Sequence, residues 1–373
     1  MATFGALELA GLPFALAARA IPRRYEYAFP DGALVVYDID RGFAPVKRVA
    51  LPTERGVRGA CASARTASLY VSYGGDGGPE GNGALLKYDL RRDRVLWMRD
   101  YPFGIDSMAI TPDGQKIFMP EGELARGGTW YVLAGDDGRV IGQVAGGTGP
   151  HNTIVSRDGK RVYLGGRNHN ELLVADTQTY EVIARIGPLV SGVRPFTIDA
   201  AERYAYTTAT GLLGFQVSNI RTGRVLHTVE FSGFTWDPKS FPASCPSHGI
   251  SLAPKGDSLY VLDAPNARVH VFDVRPLPRV PRMVATVRLS GLSGYEASCA
   301  YDCLRDGWIS HTRDGRFAIV GDAGDVISTR VRRVVKHLPV LTNTRKYIEV
   351  VFDARGGVVW AATSRSSVGY PTT

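Results

Sequence analysis

Apolar residues in this chain come in short alternating bursts, and each burst stops at a turn signal. One phrase recurs: a small or polar start, an alternating strand, a turn such as Pro-Asp-Gly or Arg-Asp-Gly, then an aromatic-rich strand. It occurs at 57–73, 105–121, 150–166, 193–209, 247–263, 307–322 and 347–363. Asp-Gly between alternating segments is a strong hairpin signal. A second hairpin follows most copies. Its first strand ends in a polar residue such as Asp89, Asp176 or Asp273, and turns such as 136–138 and 221–223 lead out of it. Each unit is therefore four antiparallel strands, and a repeat of this kind predicts an all-β, seven-bladed β-propeller.

The seventh unit begins at Tyr347 and leaves too few residues for its outer two strands. The N-terminal segments Ala33–Asp38 and 47–51 are predicted to supply them and close the ring, which removes exposed sheet edges. Residues 1–25 are left without assigned structure, and 26–373 form one propeller.

The chain has 373 residues, 44% of them hydrophobic and 21% charged, which excludes a disordered polymer. Its 43 Gly and 22 Pro suit many turns rather than helices. A net charge of +8 favours anionic partners. No run of 18 apolar residues is present, so no membrane-spanning helix is expected. Residues 1–20 are apolar and small and lack the basic start of a signal peptide, although Ala18-Arg19-Ala20 has the shape of a cleavage site. A periplasmic or secreted monomer is the expectation.

The phrases Ser156-Arg157-Asp158-Gly159-Lys160-Arg161-Val162-Tyr163 and Thr111-Pro112-Asp113-Gly114-Gln115-Lys116-Ile117-Phe118 resemble the repeat of YVTN-type propellers, including YncE-like and lactonase-like proteins. The resemblance covers residues 33–363. It implies the fold and leaves the activity open, because such propellers include binders, DNA-binding proteins, lactone hydrolases and a lyase. None of the catalytic signatures of those enzymes is recognisable.

Aligning the copies on the turn and stepping back seven residues from its Asp gives Arg58, Asp106, His151, Arg194, His248, Gly307 and Ile348. If the blades superpose, these converge on one mouth of the central channel. Two Arg, two His and one Asp make an anion-binding constellation, and His suits proton transfer near neutral pH. His151, His248 and Asp106 are the candidate catalytic groups, and Arg58 and Arg194 the candidate ligand-binding charges. Trp308 and Glu349, beside Gly307 and Ile348, are expected to turn inward as ligand-binding residues at an apolar gap in the ring. Two long insertions, 231–247 and 291–306, carry aromatic residues including Trp236 and Tyr295 that would rim the mouth.

Three readings follow. The first is a binder of a small anionic or carbohydrate-like ligand. The second is a hydrolase or lyase acting on a lactone, glycoside or uronate-like substrate, with His as general acid or base. The third is a binder of single-stranded DNA or protein, which the charge and aromatic loops favour less. No cofactor is required, and a divalent metal held by the two His and Asp106 is a variant of the second. Cys245, Cys299 and Cys303 lie in the insertions and would allow a disulfide there, while Cys61 lies on the first inner strand. Gly74 to Gly78 form a glycine-rich hairpin loop that no helix follows, which argues against a phosphate cradle.

Overall fold

The computed structural model describes residues 22–53, 56–74, 82–296 and 304–366. Seven antiparallel sheets form the blades of a β-propeller, and one short 3₁₀ turn, Pro339–Asn343, is the only helical element among the described residues. The inner strands of the first six blades are Val57–Ser63, Ala109–Ile110, Pro150–Val155, Val193–Ile198, Ile250–Leu252 and Trp308–His311. That of the seventh lies in the five-stranded sheet that closes the ring. No helix of the described residues is long and apolar enough to cross a membrane.

The turns form for local reasons. At 111–116 the Asp113 carboxylate accepts hydrogen bonds from the Thr111 hydroxyl (2.5 Å) and the Gln115 amide (3.0 Å), and Gly114 takes the positive φ of 76° that the turn requires. Ser156-Asp158-Gly159 and Thr312-Asp314-Gly315 repeat the arrangement. Asp89 and Asp176 cap the following turns by accepting two backbone amides each.

The core is divided. Seven apolar clusters occupy the seven gaps between neighbouring blades, for example Tyr70, Leu85 and Phe103 of the first blade against Ile117 and Met119 of the second. The first three strands of a blade are covered on both faces, so they are buried almost throughout, as in Val57–Ser63 and Ser68–Gly74. Only outer strands such as Arg94–Tyr101 alternate between buried and exposed.

Closure differs in one respect from the sequence expectation. The seventh sheet has five strands in the order Val358–Ala361, Tyr347–Phe352, Arg23–Ala28, Ala33–Asp38, Ala44–Ala50. Three N-terminal strands, not two, complete the blade, because Arg23–Ala28 pairs with Tyr347–Phe352 along its whole length. The segment read as the second strand of that blade, Val358–Ala361, instead lies on the inner side of Tyr347–Phe352. From there the chain crosses the channel. The Ala62 amide of the first blade donates to the Ala362 carbonyl (2.8 Å), and the Ile110 amide of the second to that of Thr363 (2.9 Å).

Candidate functional site

Five of the aligned positions meet. Arg58, Asp106, His151, Arg194 and His248 line one cavity at the head of the channel. The local backbone aims three of them. The strand register slips between Val57 and Gly59, between Pro150 and Asn152, and between Val193 and Phe196, leaving Arg58, His151 and Arg194 on bulges. A bulge tips its extra side chain out of the pleat, here toward the propeller axis. Asp106 and His248 instead precede shortened inner strands.

The expected apolar gap is absent. Gly307 contributes its carbonyl, and Ile348 packs into the cluster between the seventh and first blades. The space is taken by residues the alignment missed: Glu123, Asp306, Arg345, Lys346 and Arg365. Asp306 and Lys346 lie one and two residues before their aligned positions, so a wider register window would have found them. Glu123 sits on the loop between two strands of the second blade, and Arg365 follows the last repeat, where no repeat signal reaches.

Two networks divide the ring. On one side Asp106 accepts from His151 Nδ1 (2.8 Å) and from the Ser107 amide (2.7 Å). A carboxylate only accepts, so Nδ1 carries the proton, and His151 Nε2 is left buried without a hydrogen-bond partner. Glu123 Oε2 accepts from Arg167 (2.8 Å) and Arg194 (3.2 Å) and lies 3.9 Å from His151 Nδ1. Burial pushes the Glu123 carboxyl up, but His151, Arg194, Arg167 and Arg58 outweigh it and hold it far below its ordinary range.

On the other side Arg345 bonds Asp306, lies 3.5 Å from Asp322 and 3.9 Å from Glu296, while Lys346 Nζ donates to Glu296 (2.6 Å). Burial drives the Lys346 ammonium down to about 8 against the pull of Glu296. Burial and the neighbouring Glu296 push the Asp322 carboxyl well up. His248 donates from Nδ1 to the Gly307 carbonyl (2.9 Å), and burial with the nearby Arg345 and Arg194 charges pushes it well below its ordinary value, so the imidazole is neutral at pH 7. Its ring centroid is 6.1 Å from that of His151.

The cavity holds about 20 Å³, room for one water-sized occupant. Five cationic side chains line it against three carboxylates, and Glu296 behind the wall offsets Lys346. Asp106, Glu123 and His151 also place ligand atoms within 4.8 Å of one another, a candidate metal triad.

The other predicted residues do not line this cavity. Trp308 is buried beside the ring, 5.9 Å from His248, with the Arg365 guanidinium carbon 4.0 Å from its ring centroid. Trp236 donates to the Phe241 carbonyl (2.8 Å) within its own insertion, and Tyr295 is 66% exposed. Glu349 faces Glu26 across the closing strands and accepts from the Arg313 amide (2.6 Å), away from the ring. Both Cys61 and Cys245 are free and buried, which leaves Cys245 outside any disulfide of its insertion. Cys299, Cys303 and most of the glycine-rich loop after Gly74 fall outside the described residues.

No protein-family profile matches this chain, and no curated protein matches it. Solved structures do. Dihydro-heme d1 dehydrogenase NirN, in complex with DHE, superposes with a TM-score of 0.57 over 96% of this chain and 78% of its own, at 13% identity. A functionally unknown protein from Desulfotomaculum acetoxidans DSM 771 gives 0.59 over 93% and 97%, at 11% identity. Likeness at this level establishes the shared propeller fold alone.

Proposed function

We propose that this protein binds a small anionic ligand through its acid group at the head of the channel. The observation that carries the reading is the excess of buried cations on the cavity wall, where Arg365 has no described carboxylate within 4.0 Å. Holding unbalanced charge away from water costs several kcal/mol per ion, and an anion in the cavity offsets that cost. NirN, a structural neighbour, was solved in complex with DHE. A void of about 20 Å³ admits one oxygen of an acid group and no macrocycle, so that ligand class is not carried over.

A second reading makes the same place a hydrolase or lyase site. It is favoured by the Asp106–His151 dyad with His151 Nε2 unpartnered at the cavity wall, the arrangement of an oriented general base. A divalent metal at Asp106, Glu123 and His151 is disfavoured, because Glu123 already serves two arginines.

Thermal unfolding against a panel of carboxylates, sugar phosphates, lactones, divalent metals and a short single-stranded oligonucleotide tests the proposal. A bound anion at 100 times its Kd adds about 2.7 kcal/mol to the wild type and little to a His151→Ala/His248→Ala double variant. Stabilisation by metals alone, or by the oligonucleotide equally in both proteins, contradicts it. Turnover of a lactone that the double variant loses selects the second reading.

A further inference from the structure

We infer that Arg365, carried back to the head of the channel by the C-terminal strand, contacts the ligand directly, and that the group it holds is a carboxylate. This rests on the reading that the cavity takes an anion.

Arg365 is 4% exposed and lines the cavity. Its Nε donates to Ser107 Oγ (3.0 Å), its Nη2 bonds the same hydroxyl, and its Nη1 donates to the Arg345 carbonyl (3.1 Å). Its guanidinium carbon lies over the ring of Trp308, whose Nε1 donates back to the Arg365 carbonyl (3.4 Å). Every one of these partners is neutral. Among the described residues no carboxylate lies within 4.0 Å of this guanidinium, whereas Arg345, Lys346 and Arg194 each have one. Burial and the neighbouring Arg345 pull its pKa down to about 10, with Asp106 opposing, which leaves it charged at neutral pH.

A buried cation fixed by neutral groups, on the wall of a void, is a charge for which no described residue supplies a contacting counter-ion, and a ligand anion fills that role. The planar fork matches a carboxylate, and the void accommodates one of its oxygens. A structural role for Arg365, that of tying the tail to Ser107 and Trp308, makes the opposite stability prediction and is separable.

The test is isothermal titration of wild type and Arg365→Met with sodium formate, acetate and inorganic phosphate in chloride-free buffer, with Tm read for each protein alone. Formate and acetate should bind the wild type more tightly than phosphate does, and at least tenfold more weakly to Arg365→Met, whose own Tm does not fall. Formate binding both proteins equally overturns the role of Arg365 and leaves the anion reading standing. Phosphate binding the wild type more tightly than the carboxylates overturns the ligand class. A wild type that binds none of the three overturns the anion reading and this inference with it. If Arg365→Met does not fold, Arg365→Lys replaces it: affinity reduced about tenfold supports the contact, and unchanged affinity removes it.

Discussion

Glu123 and Glu349 are the same residue type, 6% and 2% exposed, yet their carboxyls are shifted in opposite directions. Desolvation raises both. At the head of the channel Glu123 meets His151 and two arginines and stays ionised. Glu349 faces Glu26, itself pushed well up by burial and by Glu349. Burial drives Glu349 to about 7, with only the Arg313 amide and more distant arginines opposing. Depth therefore does not decide which end of the molecule handles charge. The supply of partners does, and the buried cations among the described residues are concentrated at the head.

Three substitutions break or sharpen that contrast. Glu123→Gln has the largest effect, a loss of about 3–5 kcal/mol at pH 7 by chemical denaturation, because Arg167 and Arg194 lose their shared carboxylate. Its folded pKa is depressed, so its stabilisation is present above the unfolded value near 4.5 and fades as pH falls below it. The gap between variant and wild type should narrow in acid, and a neutral Glu123→Gln at pH 7 would mean the head is not held by charge. Glu349→Gln runs the other way. A carboxyl raised from 4.5 to about 7 costs nothing below pH 4.5, and its cost grows to a plateau above pH 7. The variant should gain roughly 3 kcal/mol at pH 8 and nothing at pH 4, a figure set by the size of the shift. Equal stability at both pH values would erase the contrast. Trp236→Ala has the smallest effect: anion affinity stays within about twofold, since the ring bonds within its own insertion. A tenfold loss there would extend the site out to the insertions.

Much of this was legible in the chain, for a physical reason. Asp-Gly turns are local devices, so the seven units and their four-strand pattern can be read from neighbours in sequence. The ring positions follow from the same register, which is why Arg58, Asp106, His151, Arg194 and His248 were identified together. What failed depends on distant partners. Arg23–Ala28 is rich in charge and reads poorly as a strand, yet Tyr347–Phe352 pairs with it. Val358–Ala361 reads as an ordinary second strand, but that place is already filled, so it turns inward. Arg365 is carried to the cavity by that displacement, and nothing in its own surroundings in sequence announces it. The bulges that aim Arg58, His151 and Arg194 are likewise visible only once the strands are paired.

The pairing of Arg23–Ala28 with Tyr347–Phe352 has a consequence for synthesis. A nascent chain presents its first strand more than three hundred residues before the partner exists. At ~5–20 residues per second that wait is on the order of 20–60 s, during which the seam has no partner strand to close it. The exposed edge must stay unpaired with other chains for that time. The charges of Arg23, Arg24 and Glu26 suit that interval, since they discourage edge-to-edge association until the last strand emerges.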